Sequence, residues 1–365
     1  MPQLTRYLYF KDECFYSLMF CLIQKSSFDE VIFWAGEVYY SGFHEQLWDH
    51  IWKIYYDFYA IKYPKYEKKI NKLSNEKMNF KNIVYILNLF YYSKPIHTVF
   101  ALRMLNPSAP SHVYMGRIPK WIKELELTKW ERKLIRSIHN DKKINVAFYI
   151  KQVCLQKCYD AIKKYYMRVH KVKLENKSFD KINYKNKAHI LLALVCHLSL
   201  DVNEIQTRTV FKKLDKSIVE EQIQFNSVVE PLYKTLGHKR LFKISPLVGV
   251  FKLERFNIQI DYKDILRHHW DYFVYNTPLW QQRIKKCNGI VNKNYELVFK
   301  NDDDHEAFYE TFDYEPDEQS KEIQEMSICN IDMDKGSAWL SAINDIVGID
   351  IVGIDIVDKV SDRVY

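Results

Sequence analysis

FDEVIFWAGEVYYSGFHEQLWDHIWKIYYDFYAIKYP, residues 28–64, decides the fold. Phe28, Val31, Ile32, Ala35, Val38 and Tyr39 recur at helical spacing and mark one face of an α-helix. Ser27 with Glu30 matches a capping box, in which hydroxyl and carboxylate each satisfy a backbone N–H at the helix start. Gly42 stands where a glycine releases a helix into a left-handed turn. Leu47, Ile51, Ile54, Phe58 and Ile61 form a second stripe, ended by Pro64. Trp48, Trp52, Tyr55 and Tyr59 widen it beyond an ordinary surface helix, so it must be covered on two sides. The reading is an antiparallel hairpin sandwiched between further helices, with its rings as interior packing rather than a base-stacking platform. Burying a ring such as Trp52 contributes roughly 2–3 kcal/mol.

Outward from that stretch, composition agrees. The chain of 365 residues is 47% apolar and holds 27 Tyr, 21 Phe and 8 Trp, but only 9 Gly and 10 Pro. So few turn residues favour long helices over a sandwich or barrel. The length predicts two or three compact units. Seven cysteines without framework spacing fit a reducing compartment. No signal peptide opens the sequence, and no apolar run approaches the roughly 20 residues that span a bilayer. The expectation is a protein without membrane attachment.

The net charge of +8 is unevenly spread. Residues 301–365 carry 18 Asp or Glu against 4 Lys or Arg, while residues 1–300 carry 50 basic residues against 28 acidic ones. A basic body with an acidic tail points to a nucleic-acid or other acidic partner.

Along the chain, helices are predicted over 5–26, 80–92 and 95–105, and the Asn-Pro-Ser-Ala-Pro-Ser run at 106–111 reads as a linker. Pro119 opens a short helix with Trp121, 146–169 reads as the longest single helix, and 187–200 as a nearly all-apolar one. Ile258, Ile260 and Tyr262 alternate as in a strand; 263–286 reads as one aromatic helix; Gly289–Val291 and Tyr295–Phe299 read as a β-hairpin. The fold class is mainly α, with stacked antiparallel helix pairs (helical-repeat-like or bundle), a small α+β C-terminal unit and an acidic tail. The units are 1–105, aromatic-rich and helical; 112–240, basic and helical; 241–316, small α+β; and 317–365, a flexible acidic tail ending in a period-five Ile-Val-Gly-Ile-Asp repeat.

Signatures of catalysis are missing: no glycine-rich phosphate loop, G-x-S-x-G elbow or H-E-x-x-H occurs. No cofactor is expected. Cys154 and Cys158 have a zinc-compatible i, i+4 spacing, yet both fall on an apolar stripe and read as buried thiols. The adjacent His268 and His269 point about 100° apart on a helix, which disfavours joint ligation. Asp302, Asp303 and Asp304, followed by His305 and Glu306, have the density of a hard-cation site but read as a solvated loop.

The basic surface carries the functional reading. Arg117, Lys120, Arg132 and Arg136, interleaved with Trp121 and Trp130, suit phosphate pairing and base stacking. Lys157, Lys164, Arg168 and Lys171 form a second row.

Four stretches resemble a family of uncharacterised proteins from mimivirus-like giant DNA viruses: FWAGEVYYSGFHEQLWDHIWKIYYDFYAIKYPK (33–65), VYMGRIPKWI (113–122), HWDYFVYNTPLWQQRI (269–284) and FYETFDYEPDEQ (308–319). The resemblance implies a viral source and transfers no catalytic residue. It also implies a place in the host cytoplasm, at the viral factory, or in the virion interior. The combined expectation is a non-enzymatic scaffold or adaptor whose basic middle unit meets RNA, DNA, a ribonucleoprotein, or viral or host proteins. Two alternatives stand beside it: an internal virion component packing through aromatic surfaces, and a metal-dependent enzyme using the 302–306 carboxylates.

Overall fold

The computed structural model describes residues 2–76, 79–110, 117–171, 173–174, 179–199, 216–225, 230–251, 261–294 and 296–328. Among them the fold is mainly helical, with seventeen α-helices and a two-stranded sheet. No helix among the described residues is long and apolar enough to cross a membrane.

Two compact units are present. The first gathers the described residues of 2–50, 79–91 and 216–328; the second those of 51–76 and 92–199. This division interleaves the chain instead of following the linear order read from composition. Long-range bonds explain it. In the first unit Thr277 Oγ1 donates to Leu4 O, and Trp280 Nε1 donates to Thr5 O at 3.2 Å, so the late chain completes the early one.

In the first unit, helix Phe28–Tyr40 packs against Lys11–Gln24 and Phe80–Tyr91. The expected hairpin with the following helix, His44–Ile54, is not the main pairing. The reason is burial: every residue from 31 to 38 is buried, so this helix needs cover on all sides, not one face. Its start is half the expected box. Ser27 Oγ accepts from Glu30 N at 3.2 Å, but Glu30 Oε1 accepts from Trp34 Nε1 at 3.2 Å instead of closing the reciprocal bond. Gly42 has φ +90, and a Cβ there would stand 2.7 Å from Pro278 Cβ. The turn therefore needs glycine for both backbone and space.

Two late elements of this unit differ from the sequence reading. The segment 263–286 is three helices, Tyr262–His268, Trp270–Val274 and Pro278–Lys286. Pro278 cannot continue a ladder from behind, and it takes a first-turn position instead. Tyr262 opens a helix under an Asp261 cap rather than ending a strand; Ile258 and Ile260 lie outside the described residues. The hairpin forms, pairing Ile290 with Val298 and Val291 with Leu297, and Asn292 Oδ1 accepts the N–H groups of Asn294 and Glu296 across the loop.

Order also persists past 317. Arg240 donates to Ile323 O and Ser327 Oγ, each at 2.7 Å, and Ile244 N donates to Met326 O at 2.8 Å. The period-five repeat lies outside the described residues.

The second unit is built around residues 51–61. Ile51, Ile54, Phe58 and Ile61 are buried, as are Trp52, Tyr55 and Tyr59, which bears out the reading of these rings as core. Residues Tyr55–Tyr59 form a π-helix, with Ala60 N donating to Tyr55 O at 2.8 Å. Helices Thr98–Leu105 and Lys187–Leu198 pack on it. The long helix expected over 146–169 is broken into Lys143–Tyr149, a 3₁₀ turn Ile150–Gln152 and Leu155–Val169, because Val153 and Cys154 adopt extended backbone. Cys154 is accordingly exposed, while Cys158 is buried as expected.

Candidate functional site

Three places in the fold concentrate chemistry-bearing side chains. The first is the π-helix. A π turn widens the helix and brings an extra residue inward; such turns recur at functional positions. Here it turns Asp57 fully into the core. Arg103 Nε and Nη2 donate to its two oxygens at 2.9 and 2.8 Å. His189 Nε2 lies 3.0 Å from Asp57 Oδ1, and its Nδ1 lies 2.9 Å from Tyr184 Oη. Asn186 caps the helix that carries His189, accepting its backbone N–H at 3.0 Å. Burial by itself raises the Asp57 carboxyl, but Arg103 and then His189 outweigh it and hold the group well below the usual carboxylate range.

The row Tyr184–His189–Asp57–Arg103 has the order of a proton relay. It presents no reacting atom, however: Asp57 is 0%, His189 3% and Tyr184 8% exposed. Tyr184 further stacks on Tyr56 and Trp52, at 5.3 and 6.3 Å between centroids. The arrangement clamps three segments of the unit. Sequence reading passed over Asp57, Arg103 and His189, although a lone acid inside the apolar run YYDFYAI signals a buried partner.

The second place is the basic surface. Residues 117–171 hold 15 Lys or Arg against 5 Asp or Glu. Helix Lys129–His139 starts on a capping box between Thr128 and Glu131 and runs beside Leu155–Val169 in the same direction. Lys157 Nζ lies 4.0 Å from Glu131 near the start of both, and Tyr165 Oη lies 2.9 Å from His139 Nδ1 near their ends. Lys157, Lys164 and Arg168 lie within about 40° of one another on the exposed side of their helix. Lys171 follows beyond the helix end, at φ 60.

Trp121, in the 3₁₀ turn Lys120–Glu124, is brought to this row. The Arg168 guanidinium lies over its ring at 4.9 Å, and Tyr165 stacks at 6.4 Å with planes 26° apart. The ring is thus engaged within the protein rather than standing as an open stacking surface. Lys120, Arg136, Lys164 and Lys171 are exposed and have no ion-pair partner among the described residues. Arg117 is exposed as well. Arg132 folds back, donating Nε to Leu127 O at 3.0 Å. Trp130 does not join Trp121. It packs on Tyr149 under Lys133, on a different side of its helix. The structure therefore brings Trp121 against Arg168 and Tyr165, sets Lys157 and Lys164 on the side of the helix that carries Arg168, and leaves Trp130 apart.

The third place is the acidic run. Asp302, Asp303 and Asp304 form the first turn of helix Asp302–Phe312, capped by Asn301, instead of a solvated loop. Acids in a first turn offset the positive end of the helix dipole, which accounts for their position. Asp304 Oδ1 also accepts from Asn288 Nδ2 at 3.0 Å. His268 and His269 flank a helix break, and His269 Nε2 lies 3.3 Å from Asp264. Among the described residues no three His, Cys, Asp or Glu side chains converge as a metal site.

Comparison of the chain with family models, with curated proteins and with solved structures finds no match.

Proposed function

We propose that this protein is a non-enzymatic helical scaffold that binds nucleic acid, free or within a ribonucleoprotein, along the row formed by Lys157, Lys164, Arg168 and Lys171. The observation that carries the reading is the local charge: an exposed helix face with successive cations, in a stretch, residues 117–171, that holds 15 Lys or Arg against 5 Asp or Glu. Phosphate contacts from such a row give affinity and register without reading bases. Arg168, whose guanidinium lies over Trp121 at 4.9 Å, can pair with a phosphate through its N–H groups while that contact restrains it. The source proposed with this function is a mimivirus-like giant virus, supported by the four resembling stretches, with the protein at the viral factory in the host cytoplasm or in the virion interior.

Fluorescence anisotropy of labelled single-stranded RNA, single-stranded DNA and duplex DNA tests the function across a salt series. Lys164→Glu with Arg168→Glu should weaken binding and lower the slope of log affinity against log salt by about one for each phosphate that is no longer paired. Lys285→Glu, in the other unit, should leave it near the wild-type value. Isotherms that are flat, or unchanged by the double substitution, overturn the proposal.

A further inference from the structure

In the first unit, Lys243, Lys263 and Arg267 line one cavity of about 380 Å³. Its apolar lining includes Ile244, Leu266 and Ile328. Lys263 and Arg267 stand at i, i+4 on the helix Tyr262–His268, so they share a side of it. Lys243 reaches the cavity from the segment after helix Leu232–Lys239. None of the three has an ion-pair partner among the described residues. Glu325 is the acid among the lining residues, and it lies 4.0 Å from Lys321.

The walls are fixed from behind. Arg240, 2% exposed, lies over Tyr9 at 4.5 Å and bonds Ile323 O and Ser327 Oγ. Tyr9 Oη donates to Phe242 O at 2.8 Å, and Ile328 N donates to Glu13 Oε1 at 3.2 Å. The segments 242–244 and 323–328 that wall the cavity are thereby anchored to the core.

We propose that this cavity binds a phosphate monoester with an apolar or aromatic body. The three cations and one acid of the lining give it a formal charge of +2, which matches a phosphate dianion and exceeds what one carboxylate balances. The aliphatic lining supplies contact for the esterified group. The volume falls within the roughly 300–1,000 Å³ of small-molecule pockets.

Calorimetric titration of the full chain with phenyl phosphate, inorganic phosphate, benzoate and phenol tests the assignment. Phenyl phosphate should bind tightest, with each of the other three at least about tenfold weaker. Lys243→Gln and Arg267→Gln should each weaken phenyl phosphate about tenfold, the effect of one charge-assisted hydrogen bond. Lys263→Gln, at an exposed side chain, repeats the test if Arg267→Gln lowers the melting temperature. Lys285→Gln serves as the surface control. No binding of phenyl phosphate, equal binding of benzoate or inorganic phosphate, unchanged affinity in the cavity variants, or equal loss in the control each overturns the proposal.

Discussion

Asp57 and Arg103 meet through two parallel hydrogen bonds, 2.9 and 2.8 Å, around a carboxylate with no solvent exposure. Breaking one side of such a pair strands a buried charge, which costs about 3–5 kcal/mol. Arg103→Ala should therefore lower the urea midpoint of the second unit strongly. Arg103→Lys should recover less than half of the loss, since an ammonium cannot bridge both oxygens. The pair also has a pH signature. Because the folded carboxyl is depressed, its contribution is present above the unfolded value of about 3.9 and is lost as pH falls towards the folded one. Unfolding curves at successive acid pH values should show this component in wild type and not in Asp57→Asn.

His97 predicts a second pH dependence, at milder acidity. Burial pushes its imidazole from 6.5 down to about 4, and its ring lies 5.6 Å from Phe58. Below pH 6.5 the unfolded chain takes up a proton that the folded unit refuses, so stability falls from there towards pH 4. His97→Phe should flatten the profile in that window. Equal slopes for both proteins would rule this out.

Gly42 should tolerate no side chain. Alanine would hold a left-handed backbone and place its Cβ 2.7 Å from Pro278 Cβ. A loss of about 1–3 kcal/mol is expected for Gly42→Ala. In a double-mutant cycle, Pro278→Gly, which removes the clashing Cβ, should return the part due to the clash and leave the part due to φ.

Cys154 should be the fast-reacting thiol among the described cysteines. It is exposed, whereas Cys14, Cys21, Cys158, Cys196 and Cys287 are buried. Burial pushes Cys158 and Cys196 up to about 12, so little thiolate forms there near neutrality. Brief alkylation of the native protein followed by peptide mass mapping should place the label at Cys154. Equal labelling of Cys158 would contradict the break at Val153.

These groups also show what could be read beforehand. Leu47, Ile51 and Ile54 announced their helix because burial of apolar surface repeats with the helical period; Phe58, in the π-helix, and Ile61, in the turn after it, join them in the core. Continuity was harder. Val153 and Cys154 are chemically acceptable in a helix, and their extended backbone is set by tertiary packing that no local pattern reveals. Hardest were Glu37 and Asp57, both fully buried. Glu37 takes Arg6 Nε at 2.7 Å and Tyr7 N at 3.1 Å, partners some thirty positions away. The charge on the basic row was visible as composition, but the joining of Trp121 to Arg168 depends on the 3₁₀ turn Lys120–Glu124 being laid against the helix Leu155–Val169.

The bond from Trp280 to the carbonyl of Thr5 sets a timetable for synthesis. A nascent chain on the ribosome exposes the apolar faces of residues 4–40 long before residue 280 is translated, whereas the segments that complete the second unit emerge much sooner. Assembly should thus begin in the middle of the polypeptide and finish when its late segments return to the start. During that interval the helices of residues 11–40 should be the part of the molecule most exposed to aggregation.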